Sequence, residues 1–157
     1  MDIRPVDTSN LSVYRQLAQA YEAEFSPLTG KYPGEDGVFL LDTPIDADHL
    51  GWLLYERDRP VGLAALGRRA GGWEVCEFYI LPLCRGRSLG CDFIHQLWRR
   101  YPGMWQIKQI AGAELASRFW RRCLTSYPVA FVEDIYEDCY WGRVTRQCFS
   151  IAASPET

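Results

Sequence analysis

Residues 77–90 read EFYILPLCRGRSLG. The stretch begins as an apolar strand carrying one carboxylate, Glu77, and runs into Pro82. A short basic loop follows, Cys84-Arg85-Gly86-Arg87-Ser88, and opens directly into residues with helical spacing from Leu89 to Tyr101. A strand that feeds a helix N-terminus presents backbone N–H groups without intrahelical partners and the positive end of a dipole. Two arginines add charge, and the small residues Gly86 and Ser88 let a bulky anion approach the backbone. This chemistry suits a pyrophosphate.

Outward from that stretch, the chain alternates between strand and helix signals. Residues 2–7 read as a strand, and Ser9 or Asn10 then caps a helix. Its buried face is Tyr14, Leu17, Ala18, Tyr21 and Phe25, at helical spacing. Residues 26–48 hold three prolines and three glycines and read as an irregular excursion with at most one helical turn. Strands are expected at 49–56, 60–68 and 73–81, separated by turns at 57–59 and 70–72. The helix over 88–101 is stopped by Pro102-Gly103. A strand at 104–110 precedes a helix at 114–124 with Leu115, Ala116, Phe119, Trp120 and Cys123 inward. A hairpin of strands 127–135 and 139–151 closes the chain, with Glu133, Asp134, Glu137 and Asp138 decorating its turn. The order predicts a mixed sheet with helices on both faces, in one α/β domain over 1–153 with a frayed tail at 154–157.

The bulk properties agree. A chain of 157 residues, 48% hydrophobic and 14% aromatic, suits one well-packed domain. No run is long and apolar enough for a membrane span, and MDIRPVDTSN lacks the apolar core of a signal peptide, so a cytoplasmic protein is expected. A net charge of −3 disfavours nucleic acid as a partner and suits a small cationic amine. Six cysteines without a C-x2-C pair, and only two histidines, argue against zinc. Without a secretion signal the thiols read as reduced, most of them as small core residues. Cys84 lies in the basic loop, where Arg85 and the helix N-terminus lower a thiol pKa if the group is exposed.

The loop resembles the acyl-CoA loop of the GCN5-related N-acetyltransferases (the GNAT superfamily). There, arginine or glutamine, two residues, glycine, one residue, then glycine or alanine form a cradle. Here the register reads Arg85, Gly86-Arg87, Ser88, Leu89, Gly90, with Ser88 in place of the middle glycine. A second block, PGMWQIKQIAGAELASRFWRRCL at 102–124, resembles the family's strand and following helix. The block resembles in particular a bacterial subset with Pro-Gly-x-Trp and Phe-Trp-Arg segments. Ala113 stands where the family usually has asparagine, and Trp120 where it often has the tyrosine that protonates the leaving thiolate.

The resemblance implies a mostly antiparallel seven-stranded mixed sheet whose fourth and fifth strands, 73–81 and 104–110, splay to admit acyl-CoA. It implies that backbone groups of Tyr79, Ile80 and Leu81 pair with the pantetheine arm. Arg85, Gly86, Arg87, Ser88, Leu89 and Gly90 then hold the pyrophosphate, and Ala113 and Trp120 lie along the cofactor. Acetyl-CoA is the implied cosubstrate, and the acceptor is a small amine or exposed amino group that attacks directly in a ternary complex. The family also admits a homodimer.

Such a transfer needs a neutral nucleophile, yet an alkylammonium with a pKa near 10 is only about a thousandth deprotonated at neutral pH. Glu77 is the candidate base, on a strand face shared with Trp73, Val75, Tyr79 and Leu81. Burial among apolar groups raises a carboxyl pKa toward neutrality. The alternative is a structural glutamate bonded to a core tyrosine or an arginine. Glu22, Glu24 and Glu74 are lesser candidates, while His49 reads as a strand end and His95 as an exposed helix residue. Trp120 cannot serve as an acid, since an indole N–H only donates a hydrogen bond. Either no dedicated acid exists or Tyr79, Tyr101 or Tyr127 supplies one. Ser88, Ala113 and Trp120 keep open a second reading, a non-catalytic module that binds acyl-CoA as a sensor or partner domain.

Overall fold

The computed structural model describes residues 1–153; the expected tail at 154–157 lies outside them. The strands are β1 (Asp2–Pro5), β2 (His49–Glu56), β3 (Arg59–Arg69), β4 (Gly72–Ile80), β5 (Gly103–Ile110), β6 (Phe131–Asp138) and β7 (Gly142–Ile151). The helices are α1 (Leu11–Thr29), α2 (Leu89–Arg100) and α3 (Glu114–Thr125), with a short 3-10 turn at Pro82–Cys84. The seven strands form one sheet in the order β1-β2-β3-β4-β5-β7-β6. Pairing is antiparallel for β1/β2, β2/β3, β5/β7 and β6/β7, and parallel for β4/β5. The described residues pack as two compact units, 1–67 with 76–87, and 68–75 with 88–153.

In the first unit, Arg57 and Asp58 turn β2 into β3 with positive φ at both positions (50° and 59°), the two-residue hairpin geometry that matches strand twist. Helix α1 lays Tyr14 and Ala18 onto Leu53, Tyr55, Leu63, Ala65 and Tyr79. Gly62 lets β3 approach β4, because a Cβ there would lie 2.7 Å from the Tyr79 carbonyl oxygen. Helix α1 runs past the expected end, through Pro27 to Thr29. Proline cannot donate to the Ala23 carbonyl one turn back. The Ser26 hydroxyl donates to that oxygen instead, at 2.8 Å, and Gly30 closes the helix in the left-handed region. Residues 30–48 then form no helix or strand, so the excursion is shorter than expected.

In the second unit, β4 and β5 align Gly72–Val75 with Met104–Ile107. A side chain at Gly72 would overlap the Met104 carbonyl, so glycine is required there. The core joins Phe93, Ile94, Leu97 and Trp98 of α2 with Trp105, Ile107, Leu124 and Phe149. Of the face expected on α3, Trp120 and Cys123 are buried but Leu115 is 78% exposed, because the buried stripe begins later in the helix. His95, expected on the surface, is half-buried, with Nε2 2.8 Å from the Cys123 carbonyl oxygen and its ring against Trp98 and Tyr127.

The last hairpin turns later than expected. Asp138 accepts the N–H groups of Tyr140 and Trp141 at 2.8 and 2.9 Å, fixing the turn at 139–141. Glu133, Asp134 and Glu137 therefore lie along β6, opposite Gln147, Arg146 and Arg143, rather than in the turn. Cys91 and Cys123, expected as reduced thiols, form a disulfide joining α2 to α3 across 32 residues of sequence. Both are buried where the helices pack, a proximity that their spacing does not signal. Among the described residues, Cys76, Cys84, Cys139 and Cys148 form no disulfide.

Candidate active site

Glu77 sits on the half of β4 that belongs to the first unit, at a narrow cleft. Tyr14, Ala18, Tyr21 and Glu22 line the cleft from α1, Leu41 and Thr43 from the excursion, and Leu63 from β3. The α1 residues are spaced to share one face, so the stripe that builds the core also carries Glu22 inward. The excursion is held by Gln19, whose side chain donates to the Phe39 carbonyl at 2.9 Å and accepts its N–H at 2.7 Å. Pairing at Phe39 brings Leu41 and Thr43, two and four residues on, to the cleft wall.

The Thr43 hydroxyl donates to Glu77 Oε1 at 2.9 Å, and the Tyr21 hydroxyl donates to the same carboxylate. Burial pushes the Glu77 pKa up from 4.5 to about 7, against the pull of these two donors, and the charges of Glu22 and Asp42 add to the rise. The Tyr21 phenol is itself held well above its ordinary value by burial and by Glu77. Glu77 is therefore bonded to a core tyrosine, as its structural reading requires, and also poised near neutrality, as a base requires.

Beside it, Glu22 is 3% exposed. Lys31 Nζ lies 3.1 Å from Glu22 Oε2 and 3.1 Å from Asp42 Oδ1. Burial raises the Glu22 pKa although Lys31 opposes the rise. Burial disfavours the Lys31 charge, but its two ion pairs outweigh that and raise its pKa. Glu74, the remaining carboxylate candidate, is engaged elsewhere, with Arg69 and Lys108.

Both arginines of the basic loop are paired. Arg85 clasps Glu24 through two bonds of 2.6 and 2.7 Å, and its Nε donates to the Ile80 carbonyl at 2.7 Å. Its guanidinium also lies over the Tyr79 ring. Arg87 clasps Glu56 through two 3.0 Å bonds. Of the backbone groups expected to meet a pantetheine arm, the Ile80 carbonyl is thus engaged, and the Leu81 N–H donates to Val61 at 2.8 Å. Gly86 adopts φ 77°, a left-handed conformation in which a side chain is strained. Cys84 is buried, so the exposure that reactivity demands is missing.

Ser88 occupies the N-cap position of α2 but does not cap it; its hydroxyl donates to Asp92 at 2.7 Å. Leu89 and Gly90 are buried in the first turn, where backbone N–H groups lack intrahelical acceptors. Ala113 is buried at the start of α3 and Trp120 within it. Sequence reasoning missed Thr43 and Lys31, since an irregular excursion has no period from which to read a direction. It placed Tyr21 on the correct helix face but assigned it only to the core.

No family model matches the chain, and no curated protein matches it by sequence. Solved structures do match by shape. A chain from Bacteroides thetaiotaomicron assigned to the GNAT family superposes with a TM-score of 0.66 at 14% identity, covering 99% of this chain and 89% of that one. An aminoglycoside 6'-N-acetyltransferase complexed with coenzyme A gives 0.68 at 11% identity, over 99% and 100%. A Vibrio cholerae spermidine N-acetyltransferase gives 0.64 at 12%, over 96% and 95%. The fold is that of the GNAT acetyltransferases, a seven-stranded mixed sheet with β4 and β5 parallel. Among the described residues, no helix is long and apolar enough to cross a membrane.

Proposed function

We propose that the chain is an acyl-CoA-dependent N-acetyltransferase, with residues 1–153 as one catalytic domain working in the cytoplasm. The observation that carries this reading is the Glu77 carboxyl, held by Tyr21 and Thr43 at a cleft with its pKa near 7. Fold neighbours named for acetyl transfer to aminoglycosides and spermidine support an amine acceptor. Neighbours solved with coenzyme A or acetyl coenzyme A support acetyl-CoA as the donor.

The residues present fit that donor in part. Segment 85–90 offers a left-handed glycine, two guanidiniums and a helix N-terminus for a pyrophosphate. Arg85 and Arg87 act from their carboxylate partners or exchange them for phosphate oxygens. In this reading the backbone of Tyr79, Ile80 and Leu81 meets the pantetheine arm.

Acetyl-CoA supplies the activated thioester. Glu77 takes a proton from the acceptor ammonium, directly or through a water. The freed amine nitrogen bonds to the acetyl carbon, the carbon–sulfur bond breaks and the thiolate leaves, while the second nitrogen proton passes to the thiolate or to solvent so that a neutral amide remains. Tyr21 and Thr43 orient the carboxylate so that one oxygen faces the amine. Trp120 donates no proton, so the thiolate leaves unassisted or takes one from solvent or a tyrosine.

The same Trp120, with both loop arginines already paired, favours the alternative of a module that binds acyl-CoA without turning it over. One experiment separates the readings. Melting is followed with acetyl-CoA, ATP and NADH, and free thiol is then scored against a panel of amines. Selective stabilisation by acetyl-CoA with amine-dependent thiol release supports the enzyme. Stabilisation without release supports the module, and stabilisation by another nucleotide alone overturns both.

A further inference from the structure

The geometry points to Lys31 as a specificity-determining residue that occupies Glu22, the second carboxylate lining the acceptor cleft, so that the acceptor is a monoamine rather than a polycation. This inference rests on the acceptor site proposed above.

Two carboxylates, Glu22 and Glu77, line the cleft, and Lys31 links Glu22 to a third, Asp42. Such a set attracts cations, and a diamine could place one ammonium at Glu77 and another at Glu22. Lys31 already takes the second place. Its ammonium bridges Glu22 and Asp42 at 3.1 Å each, and its side chain is only 20% exposed. Glu22 is almost fully buried, and its charge is unpaired if Lys31 leaves. A second acceptor ammonium must therefore displace a built-in one or sit beside a like charge.

The charges of Glu22 and Asp42 reach Glu77, which places the three carboxylates in one electrostatic neighbourhood. With Glu22 and Asp42 sharing Lys31, Glu77 remains for one ammonium.

The test compares pentylamine with 1,5-diaminopentane, equal in length and different by one ammonium. Rates (kcat/KM) come from thiol release with acetyl-CoA, and amine binding comes from calorimetry in the presence of coenzyme A. Wild type is expected to prefer pentylamine at least tenfold. Lys31→Met should shift that ratio at least tenfold toward the diamine, which can then pair with Glu22. Lys31→Arg should keep the wild-type preference. The double variant Lys31→Met/Glu22→Gln, which buries no lone charge, should lose the gain.

A wild type that prefers the diamine overturns the inference and leaves the acetyltransferase reading intact. So does a folded Lys31→Met with an unmoved ratio. If Lys31→Met does not fold, the wild-type ratio and the Lys31→Arg ratio decide. A chain that binds acetyl-CoA yet neither binds nor acetylates either amine overturns both the inference and the acceptor site beneath it.

Discussion

Glu77→Gln separates a catalytic carboxylate from a structural one by moving activity and stability in opposite directions. The side chain keeps its shape and can still accept from Tyr21 or Thr43, but it cannot take a proton. Turnover at pH 7 should fall roughly 10²–10⁴-fold, the range for losing a positioned base. It should recover partly at higher pH, where more of the amine is neutral unaided.

Stability follows from the carboxyl pKa of about 7 in the fold against an ordinary 4.5. Below 4.5 the group is protonated in both states and ionisation has no effect. As pH rises, the unfolded chain ionises first, so native stability is lost between 4.5 and 7 and stays lost above. That gap corresponds to about 3 kcal/mol, and the weaker hydrogen bonds of an amide take back about 1. The variant should thus match wild type near pH 5 and exceed it by about 2 kcal/mol at pH 8. Urea denaturation at four pH values and thiol-release kinetics on the same preparations measure both. A variant less stable than wild type at pH 8, or one with wild-type turnover at pH 7, refutes the reasoning. The base would then be sought in Glu22 or Glu24.

Tyr21→Phe removes a donor that holds the Glu77 carboxylate, so the acid limb of the pH–rate profile should move upward; an unmoved limb uncouples Tyr21 from the base. Glu24→Gln and Glu56→Gln release Arg85 and Arg87, and each should tighten acetyl-CoA a few-fold by calorimetry, whereas Arg85→Glu or Gly90→Glu should weaken it strongly. Equal affinity across all four variants removes segment 85–90 from the cofactor site. Denatured without reductant, the protein should show four free thiols rather than six. Cys91→Ser should lower stability by about 2–4 kcal/mol in equilibrium unfolding under oxidising conditions and change little in dithiothreitol.

The strand and helix order was legible because each element carries a period or a stop. Tyr14, Leu17, Ala18 and Tyr21 mark α1, and Phe93, Ile94, Leu97 and Trp98 mark α2. The errors fell where local chemistry overrode a local signal. Pro27 looked like a terminator until Ser26 answered the orphaned Ala23 carbonyl. The final turn moved to 139–141 because Asp138 caps it. Leu115 stayed exposed because the packing stripe of α3 starts further on.

The sequence by itself determined the basic glycine loop at a strand-to-helix junction, the carboxylate Glu77 just upstream of it, and the mixed sheet around them. Those depend on contiguous residues and on side-chain periodicity, which a linear string preserves. Tertiary structure alone decided what each charged group faces. Arg85 meets Glu24 across 61 residues, Arg87 meets Glu56 across 31, and Thr43 reaches Glu77 across 34. Lys31 bridges Glu22 and Asp42, and Cys91 meets Cys123. Charge strength and proton affinity depend on separation and burial in three dimensions. No spacing along the chain encodes these, so the poise of Glu77 and the pairing of Lys31 with Glu22 and Asp42 emerge only on folding.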